Sequence, residues 1–160
     1  MTLADRIGVM SKGQLMQVAS PRTLYERPNS RWVAGFVGDV NLFDGQVASQ
    51  VGGCMTVATP SAGVFRVLGE VEAGQAISIA VRPEKLSLSH DMSSAEVNAQ
   101  PGDVVEADYL GGLMRYRVKL AGGDVVQVAR ANAAGTEAAF EAGQRVTVSF
   151  APEDAVVLTQ

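Results

Sequence analysis

Two short apolar runs open the chain, and a polar turn separates them. The runs cover residues 6–10 and 14–18, with Ser11, Lys12 and Gly13 between them. Gly13 can adopt the positive φ angle that a tight turn between antiparallel strands requires. The pattern therefore predicts a β-hairpin.

The pattern then changes to that of two short helices. Ser20 offers a hydroxyl that can cap a helix N-terminus, and Pro21 suits the first helical position, where its missing N–H is no loss. Pro28 is expected to end this helix, because a proline disfavours helical geometry in the residue before it. Ser30 is expected to cap a second helix over residues 31–37.

Tyr25, Trp32 and Phe36 are the aromatic residues of this region. Trp32 and Phe36 are four positions apart, which puts both on one face of the second helix. We interpret the three side chains as packing residues of a core or a domain interface, and not as an aromatic cage for a ligand.

From residue 41 onward, short segments with alternating apolar positions recur between turn residues, which is typical of a small barrel or sandwich. One segment occurs twice, because residues 74–84 match residues 143–153 at a constant separation of 69. Each copy has the pattern of a half-buried strand that a proline ends and a second short strand follows, over residues 86–88 or 156–158. Two related β units are therefore predicted.

The segment between the two copies predicts its own strand pairing. Residues 105–109 and 115–120 both alternate, and Gly111 and Gly112 lie between them. A two-residue turn at these glycines sets acid opposite base on the exposed face and apolar opposite apolar inside. The expected pairs are Asp108 with Arg115, Ala107 with Tyr116, and Glu106 with Arg117. The next strand is expected to return through a three-residue loop, with Val126 opposite Leu120 and Val128 opposite Val118.

Composition supports this β-rich picture and argues against several function classes. Val occurs 23 times and Leu 11 times, and β-branched Val favours strands over helices. The net charge of −4 argues against a general nucleic-acid surface, which needs clustered Lys and Arg. The sequence contains no apolar stretch long enough to span a membrane and no G-x-x-x-x-G-K-[ST] phosphate loop.

Few side chains are candidates for chemistry. His90 is the only histidine and Cys54 the only cysteine, so the sequence assembles no catalytic triad or metal set around them. The most distinctive polar pair is Arg82 and Glu84, which flank a proline. The second copy of the repeat has Ala151 in place of Arg82, so ending the strand does not itself require the arginine. We select Arg82 and Glu84 as candidate ligand-binding or subunit-contact residues, with mutual charge pairing at a strand end as the alternative.

The first part of the chain contains five motif segments in a fixed order, at residues 4–10, 12–15, 17–21, 24–28 and 32–38. Together they resemble the end of the nucleotide-binding domain in ABC importer subunits that carry a C-terminal regulatory domain. In that family the switch histidine lies just upstream of the Ala-Asp-Arg motif, which is residues 4–6 here. The resemblance implies that the chain is a C-terminal fragment and that residues 1–38 are a remnant of the ATPase domain.

Four further motifs extend the resemblance, at residues 41–43, 81–86, 109–111 and 148–158. They resemble the transport-associated OB (TOBE) domain of such importers, which assigns residues 39–160 to that domain. The expected fold is mainly β, an OB-like (TOBE) barrel built from two related β units, with a short N-terminal β-hairpin and two short helices. Residues 38–43 look closer to the polyamine-type subunits, for putrescine or spermidine, than to the sugar-type ones.

The resemblance implies a regulatory and dimerisation domain of an importer's ATP-binding subunit, with polyamine uptake favoured. ATP and Mg would belong to the ATPase domain, so the fragment itself is expected to hold no cofactor or metal and to hydrolyse no ATP. Its expected partners are a second copy in a homodimer, the ATPase domain and the transmembrane permease subunits, but no nucleic acid. The expected location is the cytoplasm, at the face of the inner membrane in the full-length subunit.

Two other functions stay open on sequence grounds. OB-type barrels also bind single-stranded nucleic acid, which predicts a basic groove with stacking aromatics, whereas this chain is acidic and 6% aromatic. Some related transport domains bind small oxyanions such as molybdate, which requires converging Ser, Thr, Lys or backbone donors.

Overall fold

The computed structural model describes residues 4–90, 97–132 and 140–159. In these ranges the chain forms a two-stranded hairpin, two helices and two five-stranded antiparallel sheets. The predicted class, mainly β with an N-terminal hairpin and two short helices, is confirmed. Neither helix is long and apolar enough to cross a membrane.

The hairpin pairs β1 (Ile7–Ser11) with β2 (Gln14–Ala19). The two residues of its turn, Lys12 and Gly13, both have positive φ angles, of 47° and 79°. This is the geometry of the two-residue turns whose twist matches that of antiparallel strands. The predicted role of Gly13 is therefore confirmed.

The helices begin and end as their capping residues predict. The first is α1 (Pro21–Glu26), and the side chain of its cap Ser20 accepts a hydrogen bond from the Thr23 backbone N–H. The second is α2 (Arg31–Val37), capped in the same way by Ser30. The helices pack on one face of the hairpin, where the buried side chains of this small core are Val9, Leu24 and Val33.

Ten strands follow in the two sheets. In chain order they are β3 (Asn41–Val51), β4 (Cys54–Thr59), β5 (Gly63–Leu68), β6 (Ala76–Val81), β7 (Ser87–Ser89), β8 (Gln100–Tyr109), β9 (Leu113–Leu120), β10 (Val125–Ala131), β11 (Arg145–Ser149) and β12 (Ala155–Leu158). One sheet has the order β12-β6-β3-β4-β5 and the other the order β7-β11-β8-β9-β10. The main core lies between the sheets, and the rings of Phe43, Phe65 and Phe150 contact one another at its centre.

The two sheets exchange their last strands. After β6, the 3₁₀ turn Pro83–Lys85 leads into β7, which pairs with β11. After β11, the equivalent turn Pro152–Asp154 leads into β12, which pairs with β6. The two turns meet, since Lys85 Nζ lies 2.8 Å from Asp154 Oδ1 and these residues occupy equivalent positions of the repeat. The two predicted β units are therefore confirmed, and each completes the sheet of the other.

The repeated strands are buried on both faces, so the expectation of half-buried strands is wrong. In β6, Ile79 faces the main core, and Ala80 on the opposite face packs against Ala34 of α2. In β11, Thr147 and Ser149 are buried as well as the core-facing Val148. The alternating pattern marked the core face correctly, but on the second face of β6 the small side chain of Ala80 allows α2 to cover the strand.

The strand pairing of the central hairpin is confirmed, with one irregularity. Asp108 lies opposite Arg115, and Glu106 lies opposite Arg117. A β-bulge at Val105 shifts the pairing, so that Val104 is buried and Val105 is 48% exposed. Ala107 and Tyr109 are exposed as well, so the expectation that the apolar positions of this strand lie inside is wrong for residues 105–109. Bulges insert one unpaired residue and reverse the facing of the residues beyond it, which alternation alone does not reveal.

The predicted register of β10 is wrong by two residues. Val126 lies opposite Val118, and Val128 lies opposite Tyr116. The three-residue loop is correct, because the Leu120 N–H donates to the Asp124 carbonyl across residues 121–123. A loop of this length places Val126 two residues earlier along β9 than expected.

Two asparagine side chains close the barrel between the sheets. Asn41, at the start of β3, accepts a hydrogen bond from the Gln127 N–H of β10 at 2.8 Å and donates to the Gln127 carbonyl at 2.9 Å. Asn98, just before β8, bonds both backbone groups of Arg66 in β5 in the same way, at 2.6 and 2.8 Å. Because β5 and β10 are edge strands, each amide pairs edge groups that would otherwise lack a neighbouring strand.

The two asparagines belong to a second sequence repeat, N-x-x-x-G-x-V, at residues 41–47 and 98–104. The glycines of the motif, Gly45 and Gly102, lie against the neighbouring strand. A Cβ atom would meet the Ala58 carbonyl oxygen at 2.7 Å from Gly45, and the Lys119 carbonyl oxygen at 2.8 Å from Gly102. The motif therefore combines a closing amide with a close approach of two backbones.

We expect Gly45→Ala to lower the free energy of unfolding by about 2 kcal/mol, because the added methyl group forces apart two strands of a packed sheet. The matched control is Gly35→Ala in α2, where a Cβ atom meets nothing within 4 Å. That change should stabilise the chain by up to about 1 kcal/mol, since alanine favours a helix interior over glycine. Urea unfolding measures both, and equal stability of the two variants would contradict the strand contact.

Candidate functional site

Arg82 lies where the N-terminal hairpin and helices meet the barrel. It follows β6 directly and is buried, with 8% of its surface exposed. Its guanidinium donates to four backbone carbonyl oxygens at 2.9 to 3.0 Å, those of Tyr25, Ala34, Gly38 and Asp39. One side chain of the barrel thus holds the ends of both helices.

These carbonyl groups explain why a buried cation is stable here. The last turns of α1 and α2 carry no basic residue of their own. The terminal carbonyls of a helix lack intrahelical partners and carry a partial negative charge. Arg82 supplies the missing donors and the positive charge from a strand that is far away in sequence.

Tyr25 connects Arg82 with Glu84. The Arg82 guanidinium carbon lies 4.2 Å from the centre of the Tyr25 ring, and the Tyr25 hydroxyl donates to Glu84 Oε1 at 2.7 Å. Among the ion pairs of the described residues there is none between Arg82 and Glu84. Arg82 and Glu84 therefore lie close together because both contact Tyr25. From the sequence, Tyr25 was interpreted only as a packing residue.

Burial and the nearby carboxylate shift the acid–base properties of this cluster. Burial, followed by the hydrogen bond to Glu84, raises the pKa of Tyr25 to about 12. Burial also lowers the pKa of Arg82, although the charges of Tyr25 and Glu84 oppose this change. The hydrogen bond to Asp154 raises the pKa of Lys85. Tyr25 therefore keeps its proton at neutral pH and donates a hydrogen bond to Glu84.

The rise in the pKa of Tyr25 predicts a loss of stability at alkaline pH. Since the folded-state pKa lies above the ordinary value of 10.0, its contribution is complete below about pH 10 and is lost as the pH rises toward 12. Tyr25→Phe should flatten the fall in unfolding free energy over this interval, measured by urea unfolding. The control is Tyr109→Phe, which removes an exposed hydroxyl, and an unchanged slope in Tyr25→Phe would contradict the contact with Glu84.

A cleft of about 320 Å³ opens beside this cluster, between α1 and the two 3₁₀ turns. It is lined by equal numbers of basic and acidic side chains, which are Arg22, Arg27, Arg82 and Lys85, and Glu26, Glu84, Glu153 and Asp154. Arg22 Nε lies 3.0 Å from Glu26 Oε1, and Lys85 Nζ lies 2.8 Å from Asp154 Oδ1. The lining therefore shows no excess of one charge that would select an anionic or a cationic ligand.

A second polar contact ties the start of α2 to the barrel. The Arg31 guanidinium donates to the Asp44 carboxylate and to the Ser78 hydroxyl, and Ser78 donates to the same carboxylate at 2.6 Å. The hydrogen bond from Ser78 is the main reason that the pKa of Asp44 is lowered. Helix α2 is thus anchored near both of its ends.

The other candidates lie apart from this site. The His90 ring packs against Phe140 with centroids 4.5 Å apart, and Cys54 is half-buried in β4. In the described part of the chain, no group of three His, Cys, Asp or Glu residues is placed to hold a metal. Trp32 and Phe36 stack on each other but are 40% and 64% exposed, so they are not core residues of this chain.

Comparison with protein-family models matches residues 79–158 to the TOBE domain. The spermidine/putrescine import ATP-binding protein PotA of Frankia alni is 36% identical, in a match that covers 100% of this chain and 37% of that protein. The putrescine transport ATP-binding protein PotG of Escherichia coli is 30% identical, over 99% of this chain and 43% of that protein. The chain therefore spans about two fifths of the length of these curated relatives.

Among solved structures, the cytoplasmic molybdate-binding protein ModG, in a form with molybdate bound, is similar with a TM-score of 0.65. The match covers 82% of this chain and 97% of that chain at 14% identity. Identity this low shows the fold alone. The OB-like architecture expected from the sequence is confirmed.

Proposed function

Because this chain belongs to the TOBE domain family, we propose that it is the C-terminal regulatory part of the ATP-binding subunit of a polyamine importer. The matches to PotA and PotG support this role, since they extend over residues that the TOBE match does not reach. The observation that carries the proposal is the Arg82 junction. A regulatory domain can influence an ATPase only if its position is coupled to that of the ATPase, and Arg82 provides such a coupling.

We assign residues 1–38 to the end of the ATPase domain and residues 39–160 to the regulatory domain. The N-terminal segment has its own small core, but it leaves apolar side chains exposed on the outer face of the hairpin, among them Met10 and Leu15. A two-stranded hairpin is marginally stable by itself. In the proposed subunit, the rest of the ATPase domain covers this face and the exposed stack of Trp32 and Phe36.

The proposal fixes the roles of the parts. ATP and Mg are bound by the ATPase domain, and the described part of this chain contributes no catalytic residue. Arg82 and Glu84 act in the contact between the two domains of one subunit. The subunit works as a homodimer on transmembrane permease subunits at the cytoplasmic face of the inner membrane, and it binds no nucleic acid.

The test is uptake of labelled putrescine, spermidine and molybdate by a strain that lacks the gene encoding this chain. We expect loss of polyamine uptake, restored by the intact gene, with unchanged molybdate uptake. Loss of molybdate uptake alone would replace the polyamine assignment by an oxyanion one. Normal uptake of all three solutes would contradict a role in either type of importer.

A further inference from the structure

The outer face of β8 and β9 carries opposite charges in two parallel columns. Glu106 and Asp108 form the acidic column on β8, and Arg117 and Arg115 form the basic column on β9. Arg117 Nη1 lies 3.1 Å from Glu106 Oε2, and Arg115 Nη2 lies 2.9 Å from Asp108 Oδ2. Arg115, Arg117 and Glu106 have 41–51% of their side chains exposed and Asp108 has 31%, and ion pairs at such accessible positions add little to the stability of a single chain.

The columns continue in both directions along the strands. Toward the barrel, the exposed Asp103 lies opposite the exposed Lys119, with Arg145 of β11 on the other side of Asp103. Toward the hairpin turn, Leu110 and Leu113 are joined by a backbone hydrogen bond and are 53% and 37% exposed. We call these three charged rows and the leucine row the β8–β9 face.

This face is complementary to itself. A two-fold rotation about an axis that runs parallel to the strands, midway between the columns, brings a second copy over the first. The rotation exchanges left and right but keeps position along the strands. Asp108 then lies over Arg115 of the other copy, Glu106 over Arg117, and Leu110 over Leu113. Each row therefore meets its complement without any change of register.

We propose that the β8–β9 face binds the same face of a second copy of this chain. This inference rests on the proposed function, which includes a homodimer, and it names the surface that forms it. The pattern favours this occupant because a partner must present a basic and an acidic column side by side, and the chain itself does so. A polyanion such as nucleic acid would meet the acidic column at every row.

The test is a charge exchange with the substitutions Glu106→Arg, Asp108→Arg, Arg115→Asp and Arg117→Glu in one variant. The pairs within the chain are kept, with their signs reversed. The original chain and the variant should each form homodimers. In a mixed dimer, residue 108 of one copy would lie over a residue 115 of the same charge, and residue 106 over a residue 117 of the same charge. We expect a dissociation constant at least about tenfold higher for the mixed dimer than for either homodimer, measured by native mass spectrometry and sedimentation.

The outcomes separate this inference from the proposed homodimer. Mixed dimers that form as readily as homodimers would overturn the β8–β9 face and leave self-association standing. A monomeric original chain across micromolar concentrations would overturn both. If the exchanged variant does not fold, Leu110→Lys with Leu113→Lys at the exposed turn replaces it. That pair should convert the dimer to monomer, and a persisting dimer would overturn the proposed face.

Discussion

Replacing Arg82 with methionine is expected to lower the free energy of unfolding by about 3 kcal/mol or more. The change removes donors from four carbonyl oxygens at the ends of α1 and α2, and methionine offers them nothing. Buried acceptors that lose their partners each cost about 1–3 kcal/mol, less where water reaches them from the adjacent cleft. Trp32, in α2, is the only tryptophan of the chain and reports unfolding of the helix by fluorescence in urea.

Two variants serve as controls for this prediction. Lys85→Met removes a cation of the same region whose ion pair with Asp154 is partly exposed, and it should cost less than about 1 kcal/mol. Arg82→Lys keeps the charge, but an ammonium group cannot reach four acceptors as the planar guanidinium does. The stability of this variant should therefore lie between that of Arg82→Met and that of Lys85→Met. If Arg82→Met is as stable as Lys85→Met, the carbonyl contacts do not hold the helices on the barrel.

The second large effect is expected at the closing asparagines. Asn41→Asp keeps the shape of the side chain but replaces the amide donor with an oxygen that faces the carbonyls of Val81 and Gln127. The introduced carboxylate keeps one donor, the Gln127 N–H, but its other oxygen is buried against two carbonyl oxygens. This arrangement is strongly unfavourable, so we expect a loss of about 3 kcal/mol at neutral pH. Asn98→Asp should have the same effect, because its amide faces the carbonyls of Arg66 and Phe150 in equivalent geometry.

The pH dependence distinguishes this mechanism from a general loss of packing. Burial against carbonyls raises the pKa of the introduced carboxyl in the folded state, so the variants regain stability as the pH falls and the carboxyl becomes a donor. The control is Asn132→Asp, where the amide bonds the Gly111 carbonyl at the surface. That change should cost less than about 1 kcal/mol, and a similar cost at Asn41 would contradict closure of the barrel by its amide.

Local elements follow from the sequence because their determinants are local. Ser20 and Ser30 cap the helices that they precede, and Gly111 and Gly112 set the register of the hairpin around them. Local patterns do not predict that β7 and β12 are exchanged between the two sheets. A short strand after a proline can pair with either sheet, and its own pattern contains no information about which one lies nearby.

In the candidate site, too, some features could be predicted from the sequence, and others depend on contacts between residues far apart in the chain. The sequence singles out Arg82 because the second copy of the repeat has Ala151 at the equivalent position. In the structure, α2 packs on β6, which Arg82 follows directly, and the Arg82 guanidinium reaches the end of α1 as well. Its acceptors are backbone carbonyls. Because every residue has one, the sequence does not show which carbonyls Arg82 contacts, and the contact itself could not be predicted. Asn41 and Asn98 were overlooked, although the motif N-x-x-x-G-x-V at residues 41–47 and 98–104 marks both. A search for repeats at several separations, and not only at 69, would have found them.

The N-terminal hairpin and helices expose one surface of this chain, and the barrel exposes another. The hairpin and helices leave apolar side chains such as Met10 and Phe36 on the outside, while the barrel leaves the β8–β9 face. Arg82 lies between these surfaces and fixes one relative to the other. In the proposed subunit, a change in the distance between two ATPase domains is therefore carried to the contact between two regulatory domains.

The most direct test of this coupling is putrescine uptake per molecule of subunit in the deletion strain, complemented with the gene carrying Arg82→Met or Lys85→Met. Uptake is divided by the amount of subunit in the membrane fraction, so that lower stability alone does not change the result. The junction predicts a clear loss of normalised uptake in Arg82→Met and normal uptake in Lys85→Met. Equal normalised uptake in both strains would contradict the claim that Arg82 couples the regulatory domain to the ATPase.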